Sequence, residues 1–147
     1  MVNFSLKSQE LGRMLETNIT KSTFHFLNSL KKNNNREWFA EHKTDFTTAS
    51  EKVKSFFNHV LETLKSHDEI ERLKVFRIYR DVRFSKNKTP YKSNFSASYA
   101  RAGNHRRGGY YIQIEPGNSF IATGFWNPEK DDLLRIRKEW EIDTTDL

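Results

Sequence analysis

The chain predicts an α+β domain, with N-terminal helices packed on a mainly antiparallel sheet of about four strands and a C-terminal helix after it. Three observations predict this class. Apolar residues recur at helical spacing up to Leu64, alternate with polar ones from Val75, and return to helical spacing after Trp126. Helices before and after a run of strands are the pattern of α+β architecture. Residues 20–147 are read as one domain behind a leader of residues 1–19. A chain of 147 residues can bury roughly 68–70% of its unfolded surface, enough for one core. With 12 phenylalanines and 14% aromatic residues, that core is expected to be built largely from rings.

Each element has its own justification. In the leader only Leu11, Met14 and Leu15 cluster. Thr20 is placed to cap a helix whose Phe24, Leu27 and Leu30 fall at spacing three; it closes in Lys31, Lys32, Asn33 and Asn34, where cations suit the negative end of the helix dipole. Asn34, followed three residues later by Glu37, reads as a capping pair for a second helix carrying Trp38, Phe39 and Phe46. Val53, Phe56, Phe57, Val60, Leu61 and Leu64 share one helical stripe. The threonines at 44, 47 and 48 leave one long helix and two consecutive helices equally open.

Alternation then predicts strands over Val75–Phe84, Ser93–Ala100, Tyr110–Ile114 and Phe120–Trp126. In the first, Phe76, Ile78, Val82 and Phe84 share a face with Arg80, and Arg77, Tyr79, Asp81 and Arg83 take the other. Pro116-Gly117 predicts a hairpin turn, because proline presets the first corner and glycine tolerates positive φ at the second. Asn127 and Pro128 open the last helix, with Leu133, Ile136 and Trp140 as its buried stripe.

Composition narrows the chemistry. Without cysteine there is no disulfide, no thiolate nucleophile and no cysteine-based zinc site. The five histidines (His25, His42, His59, His67 and His105) are scattered, and no metal is assigned. No stretch approaches the roughly 20 apolar residues that span a bilayer, so no membrane association is expected and cytoplasm is the expected compartment.

The net charge of +6 is unevenly placed. Lys74, Arg77, Arg80, Arg83, Lys86, Lys88, Lys92, Arg101, Arg106 and Arg107 face Asp81 alone, a net +9 that leaves −3 for the rest. Such asymmetry marks an anion-binding surface or a solvated face. The densest chemistry is RIYRDVRFSKNKTPYK, Arg77 to Lys92. Arg77, Arg80 and Arg83 supply guanidinium forks, Lys86, Lys88 and Lys92 supply point charge, and Ser85, Thr89 and Tyr91 supply hydroxyls for an oxyanion. In the competing account, Asp81 pairs with a neighbouring arginine and Thr89-Pro90-Tyr91 shapes a loop. A lone carboxylate cannot neutralise so many cations, which favours a ligand site.

NNNREWF, from Asn33 to Phe39, together with RDVRFSKNKTPYK, from Arg80 to Lys92, resembles the uncharacterised conserved family named domain of unknown function 2461. The likeness runs from about Thr20 to the end of the chain. It implies an intracellular protein and supplies no activity or catalytic residue. Family members usually continue into a further C-terminal segment, so apolar surface is expected to stay uncovered near Asp132–Trp140.

Weaker candidates have structural explanations. The asparagines at 33–35 are expected to satisfy backbone groups, and Tyr110, Tyr111, Phe125 and Trp126 to be core rather than base-stacking platforms. His105 has no evident carboxylate to orient it. Gly108-Gly109 lacks the spacing of a phosphate loop. The leading expectation is a site for a phosphate-bearing or other anionic ligand, at Arg77, Arg80, Asp81, Arg83, Ser85, Lys86, Lys88, Thr89, Tyr91 and Lys92. Asp81 would stay ionised among cations and orient rather than transfer protons. The alternatives are a non-enzymatic nucleic-acid-binding module and a protein-interaction domain. Cofactor, reaction and oligomeric state are left unassigned.

Overall fold

A computed structural model describes residues 18–103, 108–125 and 127–142. The leader residues Leu11, Met14 and Leu15, and His105, Arg106, Arg107 and Trp126, lie outside them. The order is α1 (Lys21–Lys32), α2 (Arg36–Glu41), α3 (Lys43–Lys65), β1 (Ile70–Val75), β2 (Phe95–Arg101), β3 (Gly109–Ile114), β4 (Phe120–Gly124) and α4 (Lys130–Ile142). The four strands form one antiparallel sheet in sequence order. This is the predicted α+β layout. Among the described residues no helix is long and apolar enough to cross a membrane.

Helical spacing buries most of what it should. Leu27 and Leu30 of the expected α1 stripe are buried, but Phe24 is only half-buried and Phe26, two residues on, takes the buried place; Val53 and Phe57 of α3 are buried, while Phe56, Val60, Leu61 and Leu64 pack around them half-exposed. Burying such a side chain contributes about 1.5–3 kcal/mol. Thr20 occupies the N-cap of α1, but its hydroxyl meets those of Ser22 and Thr23 instead of a backbone N–H. The second and third helices are separate, and their break falls at His42, which closes α2 with its N–H on the Trp38 carbonyl.

The helices cover one face of the sheet. On that face Phe95, Ala97 and Tyr99 of β2 stand opposite Ile114, Ile112 and Tyr110 of β3. Tyr99 donates its hydroxyl to the Phe57 carbonyl at 3.0 Å, and burial pushes its pKa up to about 12. Gly109 lies so close to β2 that a Cβ there would stand 2.6 Å from the Tyr99 carbonyl oxygen. Between β3 and β4, Gly117 takes φ +75° and Asn118 donates to the Glu115 carbonyl at 3.0 Å, the predicted proline-glycine turn.

Two elements depart from the sequence reading. The first strand is Ile70–Val75, not Val75–Phe84. The ladder to β2 ends as Phe76 donates to the Ser96 carbonyl, and the chain then leaves the sheet to pair with 90–92, where Pro90 has no N–H with which to extend a ladder. The alternation is therefore not that of two faces: Ile78 is buried, whereas Phe84 is 96% exposed. The last helix starts at Lys130, because Asn127 takes φ +55° and the chain turns before the helix begins. Its expected stripe is not buried, since Leu133 and Trp140 are exposed and Ile136 only half-buried.

Candidate anion site

The arc from Arg77 to Lys92 closes on itself through backbone bonds. Arg80 donates to the Pro90 carbonyl and Lys92 to the Ile78 carbonyl, each at 2.8 Å, and Tyr79 faces Tyr91 in a lone antiparallel bridge. Lys88 closes the tip, donating Nζ to the Val82 carbonyl at 2.9 Å.

The arc is anchored by the segment Asn33–Phe39. The Asn34 side chain accepts from the Tyr91 N–H at 3.1 Å and donates to the Tyr91 carbonyl at 3.0 Å. It is thus committed across space, and the cap of α2 falls instead to Asn35, whose side chain accepts from the Trp38 N–H at 2.8 Å. Phe39 stacks on the Tyr91 ring with centroids 4.0 Å apart and meets Tyr79 edge-on. Such ring pairs contribute about 0.5–1.5 kcal/mol beyond area burial. The expectation that these asparagines satisfy backbone groups fits both bonds.

A cleft of about 420 Å³ opens beside this joint, lined by Lys31, Asn34, Arg80, Asn87, Thr89, Tyr91, Lys92, Ser93 and Asn94. Three of these residues are cations, and none is a carboxylate. Arg80 donates to the Thr89 hydroxyl at 2.6 Å, and that hydroxyl donates to Asn87 Oδ1 at 2.8 Å, a relay that fixes the guanidinium while leaving its other N–H groups without a hydrogen bond among the described residues. Lys92 is half-buried, and its pKa is lowered first by burial and then by the charges of Arg77 and Arg80. The cleft therefore concentrates positive charge that it does not neutralise.

The residues singled out in the sequence divide accordingly. Arg80, Thr89, Tyr91 and Lys92 come together at the cleft, and Arg77 lies close enough for its charge to act on Lys92. Tyr91 is buried in the aromatic stack, which raises its pKa, and so it serves the site more as a wall than as a donor. Asp81 and Arg83 bind each other bidentately at 3.0 and 2.7 Å in open solvent, and the guanidinium holds the carboxyl below its usual range. Asp81 is thereby a weaker base than an unpaired carboxylate. Lys86 is exposed, Ser85 is half-buried with its N–H on the Val82 carbonyl, and Lys88 spends its ammonium on the loop. Sequence reasoning missed Lys31, Asn87, Ser93 and Asn94, and weighed Asn34 only as a partner for backbone groups, a role it does take with Tyr91. Only the closeness of Lys31 to the asparagine motif hinted at them.

A second ionic group is structural in character. Asp68, at the turn between α3 and β1, contacts Arg101 Nε at 2.6 Å and accepts from its Nη2 at 3.2 Å and from the Tyr110 hydroxyl at 2.8 Å. Arg101 first, and then Tyr110, lower its pKa.

The family described as Conserved hypothetical protein (DUF2461) matches residues 22–147. No curated protein and no solved structure matches the chain. The chain belongs to that family.

Proposed function

We propose that this member of the family binds a phosphate-bearing or other anionic ligand in the cleft between the asparagine segment and the arginine arc. The observation that carries the reading is the meeting of Arg80, Lys92 and Lys31 around a space with no carboxylate in its lining. Lys92 has its pKa lowered first by burial and then by the repulsion of Arg77 and Arg80. A phosphate would relieve that repulsion while accepting hydrogen bonds from the remaining guanidinium N–H groups of Arg80 and the lysine ammonium groups. The amides of Asn87 and Asn94 add neutral donors at the rim. The ligand is sought among the phosphorylated metabolites and nucleotides of the cytoplasm. No reaction is assigned; Asp81, the carboxylate of the arc, is engaged by Arg83 through both oxygens and weakened as a base.

Thermal denaturation with inorganic pyrophosphate tests the reading. Binding to the folded state alone raises the melting temperature in a saturable way. Arg80→Gln and Lys92→Gln should each abolish the shift, and Lys86→Gln should keep it. A wild-type protein that pyrophosphate does not stabilise, or a shift surviving in both cleft variants, overturns the assignment.

A further inference from the structure

Three rings cross the face of the sheet turned away from the helices. Phe76 lies 6.2 Å from Tyr111, and Tyr111 lies 5.7 Å from Phe120, centroid to centroid. Beneath them β2 contributes only Ser96 and Ser98, paired with Gln113 and Tyr111, so no large side chain of that strand interrupts the row. Phe120 keeps 45% of its surface exposed. The row is flanked by positive charge, with Lys74 Nζ 5.2 Å and Lys92 Nζ 5.4 Å from the centre of the Phe76 ring. Lys92 is also a wall of the anion cleft. Lys92 thus borders both the ring row and the cleft. Glu115, the carboxylate beside them, has its oxygens taken by Ser93, Gln113 and Asn118.

We infer that the ligand of the cleft is a single strand of nucleic acid, with a phosphate held at Arg80 and Lys92 and successive bases laid on Phe76, Tyr111 and Phe120. The inference rests on the cleft being an anion site. Aromatic rings in a row on an open sheet suit unpaired bases, whose faces stack on any ring regardless of sequence. In a duplex those faces are covered. A mononucleotide would use one ring and leave the others idle, and an apolar protein surface would have to strip water from Lys74 and Lys92 without returning a charge. Those two ammonium groups, now poised over Phe76, would swing to phosphates as a base takes their place.

Fluorescence anisotropy with labelled oligouridylate and oligothymidylate over a salt series tests this. Wild-type protein should bind both, and more tightly than it binds a duplex of the same length. Phe120→Ala and Tyr111→Ala should each weaken binding about 5- to 150-fold, the equivalent of ~1–3 kcal/mol per stacked base. Their salt slopes should match wild type, whereas Lys92→Gln should flatten the slope by about 0.7. The exposed Phe120 keeps the test open if Tyr111→Ala misfolds. Wild-type affinity in the ring variants, or equal affinity for duplex, overturns the inference. If no oligonucleotide binds while pyrophosphate still raises the melting temperature through Arg80 and Lys92, the sheet-face inference falls and the cleft assignment stands.

Discussion

Asn34 and Tyr91, 57 residues apart in the chain, are joined as two paired strands would be: one side-chain amide satisfies both the N–H and the carbonyl of the tyrosine backbone. The bond pair ties the segment that opens α2 to the arc that carries the cations. Asn34→Ala should remove both bonds, each contributing about 0.5–1.5 kcal/mol. Urea denaturation should register a loss of that order. The same variant should weaken pyrophosphate binding, because Arg80 is placed by the arc that Asn34 holds. Asn34→Asp keeps the acceptor but loses the donor and should fall between the two.

Phe57 is wholly buried under the sheet. Phe57→Ala should cost about 3–5 kcal/mol, the lost transfer energy plus the cavity. A measured loss below about 1 kcal/mol would remove the α3 stripe from the core.

Lys92 should behave oppositely in stability and in function. Its pKa in the fold is lowered, so between that value and the ordinary lysine value the unfolded chain holds more protons and stability rises with pH. Lys92→Met should therefore raise the melting temperature at neutral pH, lose the upward slope in the alkaline range and no longer respond to pyrophosphate. Arg83→Gln is the contrasting variant. Its pair with Asp81 is exposed, and such pairs add little, so melting temperature and ligand response should both stay as in wild type.

Asp68 should govern part of the acid limb. Its carboxyl is lowered by Arg101 and Tyr110, so its contribution is complete above the ordinary aspartate pKa and is lost as pH falls through the lowered one. The stability gap between wild type and Asp68→Asn should be widest near neutrality and close on acidification. A gap that stays constant down to strongly acidic pH would show that the ion pair is not what Asp68 contributes.

How far the sequence reveals the molecule depends on whether the information is local. The burial of Val53 and Phe57 is written in their spacing, and the 115–118 turn in Pro116 and Gly117, because each needs only its neighbours. The strand expected over Val75–Phe84 fails because alternation records which side chains seek cover, not what the backbone pairs with. Ile78 is buried in a loop as completely as it would be in a strand. The candidate site was legible as a charge density, but not as a shape. The sequence allowed Asp81 a neighbouring arginine without deciding that it would be Arg83, and nothing near Asn34 points to Tyr91. Asn34 and Tyr91 sit in the two motifs that carried the family resemblance, and their contact gives that joint occurrence a physical reason.

The closed backbone of the arc bears on how it opens. The amides of Arg80, Tyr91 and Lys92 are each held by a partner across the arc or in the asparagine segment. None of these bonds can break alone without loosening the others. Amide hydrogen exchange over residues 78–92 should accordingly report one concerted opening with a shared free energy, not a gradient of fraying. A ligand seated on Arg80 and Lys92 would slow all of these amides together, while a mutation at Asn34 would release them as a block.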